Sequence, residues 1–244
     1  MCWGLRERGA SPVRVVMLAQ YPINERRIVG GVEAVVVPLL SGLARYDDLD
    51  LHVVTCQPGL ERQVGVTGSG YPLHILKRRR LGRLTFHLRD VSSLRGVLKE
   101  LSPDVVHAQG VGIYAAAAAR SPYPHVVTVH GIVFREAEFS MKLPARARGF
   151  VDSVYERYCL ASVKNLISIS PYAEEELEGK GDFERVYRIE NPVDDRFFSV
   201  TGTEREPATI LYAGRIIRRK GLLGLLRALV EVRRAVPEVR LRAA

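Results

Sequence analysis

Apolar residues along this chain gather in short continuous runs, and between the runs they recur at helical spacing. Val13 to Ala19 (VRVVMLA) is a β-branched run of strand length bounded by Pro12 and Tyr21-Pro22, which predicts a buried strand. A loop carrying Gly30-Gly31 follows, and Val32 to Tyr46 shows helical apolar spacing (Val35, Leu39, Leu40, Leu43) until Asp47-Asp48 breaks it. Leu51 to Thr55 predicts a second strand and completes a βαβ unit, the building block of parallel sheets. The alternation continues with a helix over Leu84 to Leu101, a strand at Asp104 to Ala108 (DVVHA), a small-residue helix from Gly112 to Arg120 and a strand at Val126 to Val129. A long polar connection, Ile132 to Arg148, precedes a helix near Val151 to Ser162, a strand at Leu166 to Ile169, a helix opening at Pro171 and a strand at Val186 to Ile189.

Strands that are apolar throughout imply a sheet covered by helices on both faces. The expected fold is therefore α/β, a doubly wound parallel sheet filling residues 13–199, with residues 1–12 as a loose leader. Ser199 to Pro207 (SVTGTEREP) is polar, turn-rich and apolar-poor, as a linker is. Thr209 opens a new βα unit, so residues 200–244 are expected to hold the linker and the start of a second, incomplete Rossmann-like domain.

Composition narrows the function classes. At 244 residues with 47% hydrophobic content the chain has enough apolar material for a proper core. The cysteines, Cys2, Cys56 and Cys159, are far apart and odd in number, which fits a reducing compartment and a cytoplasmic protein. No run of about 18 apolar residues is present to span a bilayer. The formal net charge of +9 favours an anionic partner, either nucleic acid, an acidic membrane surface or a phosphorylated small molecule. Nucleic acid is disfavoured, because the basic residues are not interleaved with an aromatic stacking pattern and no reading motif is found.

In an open α/β sheet, ligands bind beyond the carboxyl ends of the strands, so residues directly after strands carry most weight. Gly30 and Gly31 precede a helix, where backbone N–H groups and the helix dipole attract an anion; a turn needing positive φ is the plainer explanation. His130 directly follows VVTV and can hydrogen-bond a ligand hydroxyl or carbonyl, or serve the fold alone, and His107 shares that ambiguity. Arg215 and Lys220, in AGRIIRRKG, lie between a strand end and a helix start, where the Arg fork and the Lys point charge suit phosphate. Lys77, Arg78, Arg79 and Arg80, with Arg83 and Arg89 behind and Leu76, Leu81, Leu84 and Phe86 interleaved, can seat a protein on an anionic lipid surface or form a solvated loop. No Ser/His/Asp arrangement, zinc spacing, P-loop or paired-carboxylate site stands out.

In order along the chain, GGVEAVVVPLLSGLAR (30–45), DVVHAQG (104–110), VVTVHG (126–131), SISPYAEEEL (168–177), IENPVDDRFF (189–198) and LYAGRIIRRKGLLGLLRAL (211–229) resemble glycosyltransferase family 4, retaining sugar transferases of the GT-B fold. The resemblance implies that Gly30 and Gly31 meet the donor diphosphate through backbone amides, that His130 contacts the transferred sugar, and that Arg215 and Lys220 neutralise the leaving diphosphate. It implies a nucleotide-sugar donor, a glycan or lipid-linked acceptor and no metal or cofactor, since two cations take the place of a divalent ion. It also implies a pair of glutamates and a base-binding pocket downstream of Ala244, so the chain reads as the acceptor-side domain plus the truncated start of the donor domain. The alternatives are a sugar-nucleotide 2-epimerase on the same fold and a non-catalytic fragment or binding module.

Overall fold

A computed structural model describes residues 11–80, 82–131, 143–201 and 206–244. The chain divides into two compact units, one ending at Val193 and one running from Asp194 to Ala244.

The first unit is built on an eight-stranded sheet in the order β3-β4-β2-β1-β5-β6-β7-β8. Its strands are β1 (Val13–Leu18), β2 (Leu49–Pro58), β3 (Gln63–Val66), β4 (Pro72–Arg78), β5 (Val105–Gln109), β6 (His125–Val129), β7 (Asn165–Ser168) and β8 (Arg185–Arg188). All neighbours pair in parallel except β3 with β4. The helices are α1 (Gly31–Leu43), α2 (Leu88–Leu101), α3 (Ile113–Ala119), α4 (Leu143–Leu160) and α5 (Pro171–Leu177). The expected doubly wound α/β sheet is present.

Period-two geometry explains why the strands read as continuous apolar runs. Val16 and Leu18 of β1 join one core cluster with Val54, Cys56 and Leu76, beneath Leu94 and Leu98 of α2 and the alanines of α3. Met17 and Ala19 point the other way, into a second cluster with Leu51, Val53, Leu73 and Ile75, under Val36 and Leu40 of α1. Alternate side chains thus serve opposite faces, and both faces are dry. Cys56 and Cys159 are buried free thiols whose pKa values burial pushes up to about 12 and about 11; Cys2 lies outside the described residues.

Two expectations need correction. No strand was anticipated between Thr55 and Leu84, yet the β3–β4 hairpin lies there and β4 carries Lys77 and Arg78 at its end. β3 is a four-residue edge strand whose Val64 and Val66 stay 65% and 70% exposed, and the core residues of β4 run directly into a charge cluster that masks its pattern. The polar connection expected over Ile132 to Arg148 is helical from Leu143 onward; residues 132–142 lie outside the described residues.

The second unit holds β9 (Thr209–Tyr212), α6 (Leu222–Ala235) and β10 (Arg240–Ala243), with β9 and β10 paired in parallel. Among its described residues only Val239 is buried.

Leu40, fully buried in α1, gives a direct measure of the second core cluster. Leu40→Ala is expected to destabilise the chain by about 2–5 kcal/mol through lost burial and a residual cavity. Tyr46→Ala, at a side chain 60% exposed just past that helix, stays within about 0.5 kcal/mol. Urea unfolding of the two variants checks the contrast.

Candidate functional site

Strand order reverses between β1 and β5. From β1 the chain first builds outward through β2 to β4, then returns to lay β5 on the other side of β1. Such a reversal leaves a crevice at the carboxyl ends of the two strands, since their following loops diverge. Here that crevice is a hollow of about 220 Å³ lined by Gln20 and Val32 on the β1 side and by Gln109, Gly110 and Gly112 on the β5 side, with Tyr155 of α4 contributing.

Gly30 and Gly31 stand at the β1 rim of this crevice. Gly30 is the N-cap of α1 with φ −101 and Gly31 is its first residue, so neither adopts the positive φ that the plainer explanation requires. A Cβ built on Gly31 would meet nothing within 4 Å. The backbone and its packing therefore leave the glycines unexplained, and an open approach to the helix N-terminus is what they provide. The two amides are not equivalent, however. Glu33, buried at 7% exposure, accepts hydrogen bonds from Val29 N–H at 3.0 Å and Gly30 N–H at 3.1 Å, and its other oxygen accepts from Gln20 Nε2 at 3.2 Å. This is the acidic half of a capping box. It occupies the Gly30 amide, while Gly31 is exposed and its N–H donates no hydrogen bond among the described residues.

His130 ends β6 on the same edge, beyond β5 and so about 10 Å from β1 by strand spacing. Its Nε2 lies 2.6 Å from Gln109 Oε1, the Gln109 amide nitrogen lies 3.0 Å from His107 Nε2, and His107 Nε2 lies 2.8 Å from Thr128 Oγ1. These contacts fix proton positions. The Gln109 amide donates to His107, so His107 Nε2 carries the lone pair; the Gln109 carbonyl accepts, so His130 Nε2 carries the proton. His130 Nδ1 is then an acceptor. Among the described residues it is buried and has no hydrogen bond of ordinary geometry, with Asn191 close enough to act on the ring. Burial holds the His130 pKa below its ordinary value, an effect the nearby Asn191 partly offsets, so the imidazole is kept neutral. His107 is pushed down to about 4, first by burial and then by the neighbouring His130.

Arg215 and Lys220 belong to the second unit. β9 runs into Gly214 at φ 152, Arg215 follows, and a 3-10 turn over Arg218–Lys220 leads through Gly221 at φ 74 into α6. Tyr212 Oη donates to the Arg215 carbonyl at 3.0 Å, which pins the turn. α6 has no side-chain cap and no acid in its first turn. Arg215 and Lys220 are exposed and, among the described residues, have no carboxylate partner. The sequence order strand, turn, cation, helix is therefore a cationic helix N-terminus.

The Lys77 to Arg80 stretch is only partly free. Lys77 pairs with Glu61, Arg78 Nε lies 3.7 Å from Asp90, and Leu76 is buried at 4% exposure, so Leu76 belongs to the core and not to an exposed apolar face. Leu81 and the side chains of Arg83 and Leu84 lie outside the described residues. Among the described residues no helix is long and apolar enough to cross a membrane. Sequence reasoning passed over Glu33 and Gln109. Glu33 had a signal, an acid three residues after an N-cap; Gln109 had only its place at a strand end.

The sequence profile of Glycosyltransferase Family 4 matches residues 29–197, more than half of the chain and most of the first unit. The chain belongs to glycosyltransferase family 4. No curated protein sequence matches it. Among solved structures, the fold is shared with the sucrose-phosphate synthase of Thermosynechococcus elongatus, at TM-score 0.65 and 16% identity over 95% of this chain and 62% of that one. The catalytic domain of starch synthase IV from Arabidopsis thaliana aligns at TM-score 0.62 and 12% identity, over 96% and 68%. A UDP-N-acetylglucosamine 2-epimerase from Listeria monocytogenes, itself described as putative, aligns at 0.54 and 15%, over 96% and 63%. These likenesses show the GT-B fold, and the chain spans about three-fifths of the length of the synthase.

The buried imidazole of His107 is expected to make the first unit acid-sensitive. The folded pKa of His107, about 4, lies below the ordinary 6.5, so between those values the unfolded chain binds a proton that the fold refuses. Stability is full above about pH 6.5 and falls as pH drops toward 4. His107→Gln is expected to make that decline shallower, measured as the urea midpoint across the window; an unchanged slope would remove His107 from the account.

Proposed function

We propose that the protein takes part in retaining transfer of a hexose from a nucleotide-sugar donor to a glycan or lipid-linked acceptor. The observation that carries this reading is an exposed Gly31 at the open N-terminus of α1 together with a buried His130 whose Nδ1 has no hydrogen bond of ordinary geometry among the described residues, both at the carboxyl edge of one sheet. The first suits a diphosphate and the second a sugar hydroxyl, and the two groups are adjacent in a nucleotide sugar.

Transfer breaks the bond between the anomeric carbon and the diphosphate oxygen, and the acceptor hydroxyl oxygen takes its place on that carbon as its proton passes to the departing diphosphate. Negative charge grows on the departing diphosphate. Arg215 and Lys220 are the groups assigned to meet it, and fixed cations there favour the transition state over the ground state. The exposed Arg79 and Arg80 at the end of the basic stretch favour an acceptor carried on or near an anionic membrane surface.

A 2-epimerase is the second reading, favoured by the fold likeness to the Listeria protein. One experiment separates them. The chain is incubated with a panel of nucleotide sugars, with and without acceptor glycans, and products are followed by NMR. Transfer with the donor's anomeric configuration kept supports the proposal; an inverted product refutes retention, and a C2-epimerised donor formed without acceptor supports the second reading. In the active reaction, Lys220→Ala is expected to lower kcat by about 10²-fold, the scale of a lost transition-state donor. An unchanged kcat would take Lys220 out of the leaving-group role.

A further inference from the structure

Beside the switch-point hollow lies a second one, of about 440 Å³, lined by Arg79, Arg80, Thr85, His87, Arg89 and Asp90. The two share His87 as a wall, and both open on the carboxyl edge of the sheet, because β4 runs parallel to β2 and β2 to β1. Its construction is specific. β4 ends at Arg78, and a 3-10 turn over Gly82–Thr85 brings the chain round to α2, with His87 as N-cap. The turn is closed by His87 N–H donating to the Gly82 carbonyl at 2.6 Å, and a Cβ on Gly82 would overlap the His87 ring.

Asp90, exposed at only 1%, organises the charges. It accepts from Arg79 N–H at 3.0 Å, lies 3.2 Å from His87 Nδ1 and 3.7 Å from Arg78 Nε. Its charge is thus met by Arg78, at the switch-point side. Arg79, Arg80 and Arg89 are exposed residues that line the hollow, and their guanidinium groups have no carboxylate partner among the described residues. α2 has no side-chain cap at its start, so its first amides and dipole add to the same field. Three arginines without a carboxylate partner among the described residues, lining a concave space beside an acid already met by Arg78, suit an anion. A phosphoryl group suits it best, since its two charges and three terminal oxygens match several forked donors at once.

We infer that this hollow binds a phosphoryl group carried by the acceptor, through Arg79, Arg80 and Arg89, while the rest of the acceptor extends past His87 into the switch-point hollow. The inference rests on the acceptor-side reading above and narrows its substrate class. It also differs from adhesion to a flat anionic membrane: the site is concave, and Lys77, on the same stretch, is tied to Glu61 and takes no part. Phe86 and Leu88, exposed at 43% and 58% beside the hollow, leave room for either a water-soluble or a lipid-borne phosphate.

The test needs no donor, so its failure and failure of the transferase reading are separable. The purified chain is titrated with glycerol 3-phosphate by calorimetry at low salt, and in a second arm sedimented with phosphatidylcholine vesicles with or without phosphatidic acid. Saturable binding of glycerol phosphate, or of phosphatidic acid vesicles alone if the source is lipid, is expected. Arg79→Gln and Arg89→Gln should each weaken it by about tenfold, the scale of one charge-assisted hydrogen bond, while Lys77→Gln, removing the same charge outside the hollow, changes it by less than about twofold. Equal losses in Lys77→Gln and Arg79→Gln would mean a diffuse basic surface and overturn the inference, as would no saturable binding in either arm. Arg89→Gln, on an exposed helical side chain, keeps the result readable if Arg79→Gln folds poorly.

Discussion

The first unit depends on the double pairing of β1. Its residues from Val16 to Leu18 are fully buried, its backbone is bonded to β2 on one side and β5 on the other, and its side chains feed both core clusters. A strand so placed cannot slip register, since a shift of one residue would exchange the two faces. Because the chain leaves β1 in one direction and returns on its other side, the same pairing that fixes the core also holds the crevice open. Core and site are consequences of one topological choice.

That fixed edge explains how groups remote in sequence act together. Gln20, Gly30 and Glu33 are held at the end of β1, and Thr128 and His130 at the end of β6, with His107 and Gln109 of β5 between them. Gln109 is the joint: with its carbonyl toward His130 and its amide nitrogen toward His107, one buried side chain sets the tautomers of two others. Polar networks of this sort are costly when left incomplete. Here His130 Nδ1 is the atom left without a hydrogen bond of ordinary geometry among the described residues.

Much of the fold was legible in the sequence because burial on two faces writes itself as unbroken apolar runs, as in VRVVMLA and HVVTV. The β3–β4 hairpin was not, since β3 is exposed at Val64 and Val66 and β4 passes from Leu73, Ile75 and Leu76 straight into Lys77 and Arg78. Charge there hid a strand. The site was legible as positions, a glycine pair and a histidine after strands, but not as a division of labour. The spacing of Glu33 three residues after Gly30 signals a capping box, but that its carboxylate also takes the Val29 N–H depends on the local path of the loop. Likewise Arg78 and Arg79 are neighbours of one type, and only the alternation of β4 and the buried Asp90 separate a paired guanidinium from an unpaired one.

The second unit poses the opposite physical problem. Electrostatic stabilisation needs cations held in place before charge develops, and that rigidity normally comes from a dense core. Here α6 leaves Leu223 and Val230 exposed at 63% and 60%, and Val239 is the one buried side chain among the described residues. What holds Arg215 and Lys220 is instead local: Gly214 and Gly221 take backbone conformations that other residues resist, and the Tyr212 hydroxyl grips the Arg215 carbonyl. Such a turn fixes the direction of the backbone but leaves long side chains their rotamer freedom. The leverage of these cations therefore grows with whatever apolar surface comes to cover α6, which ties the electrostatics of this motif to burial more closely than its charge alone suggests.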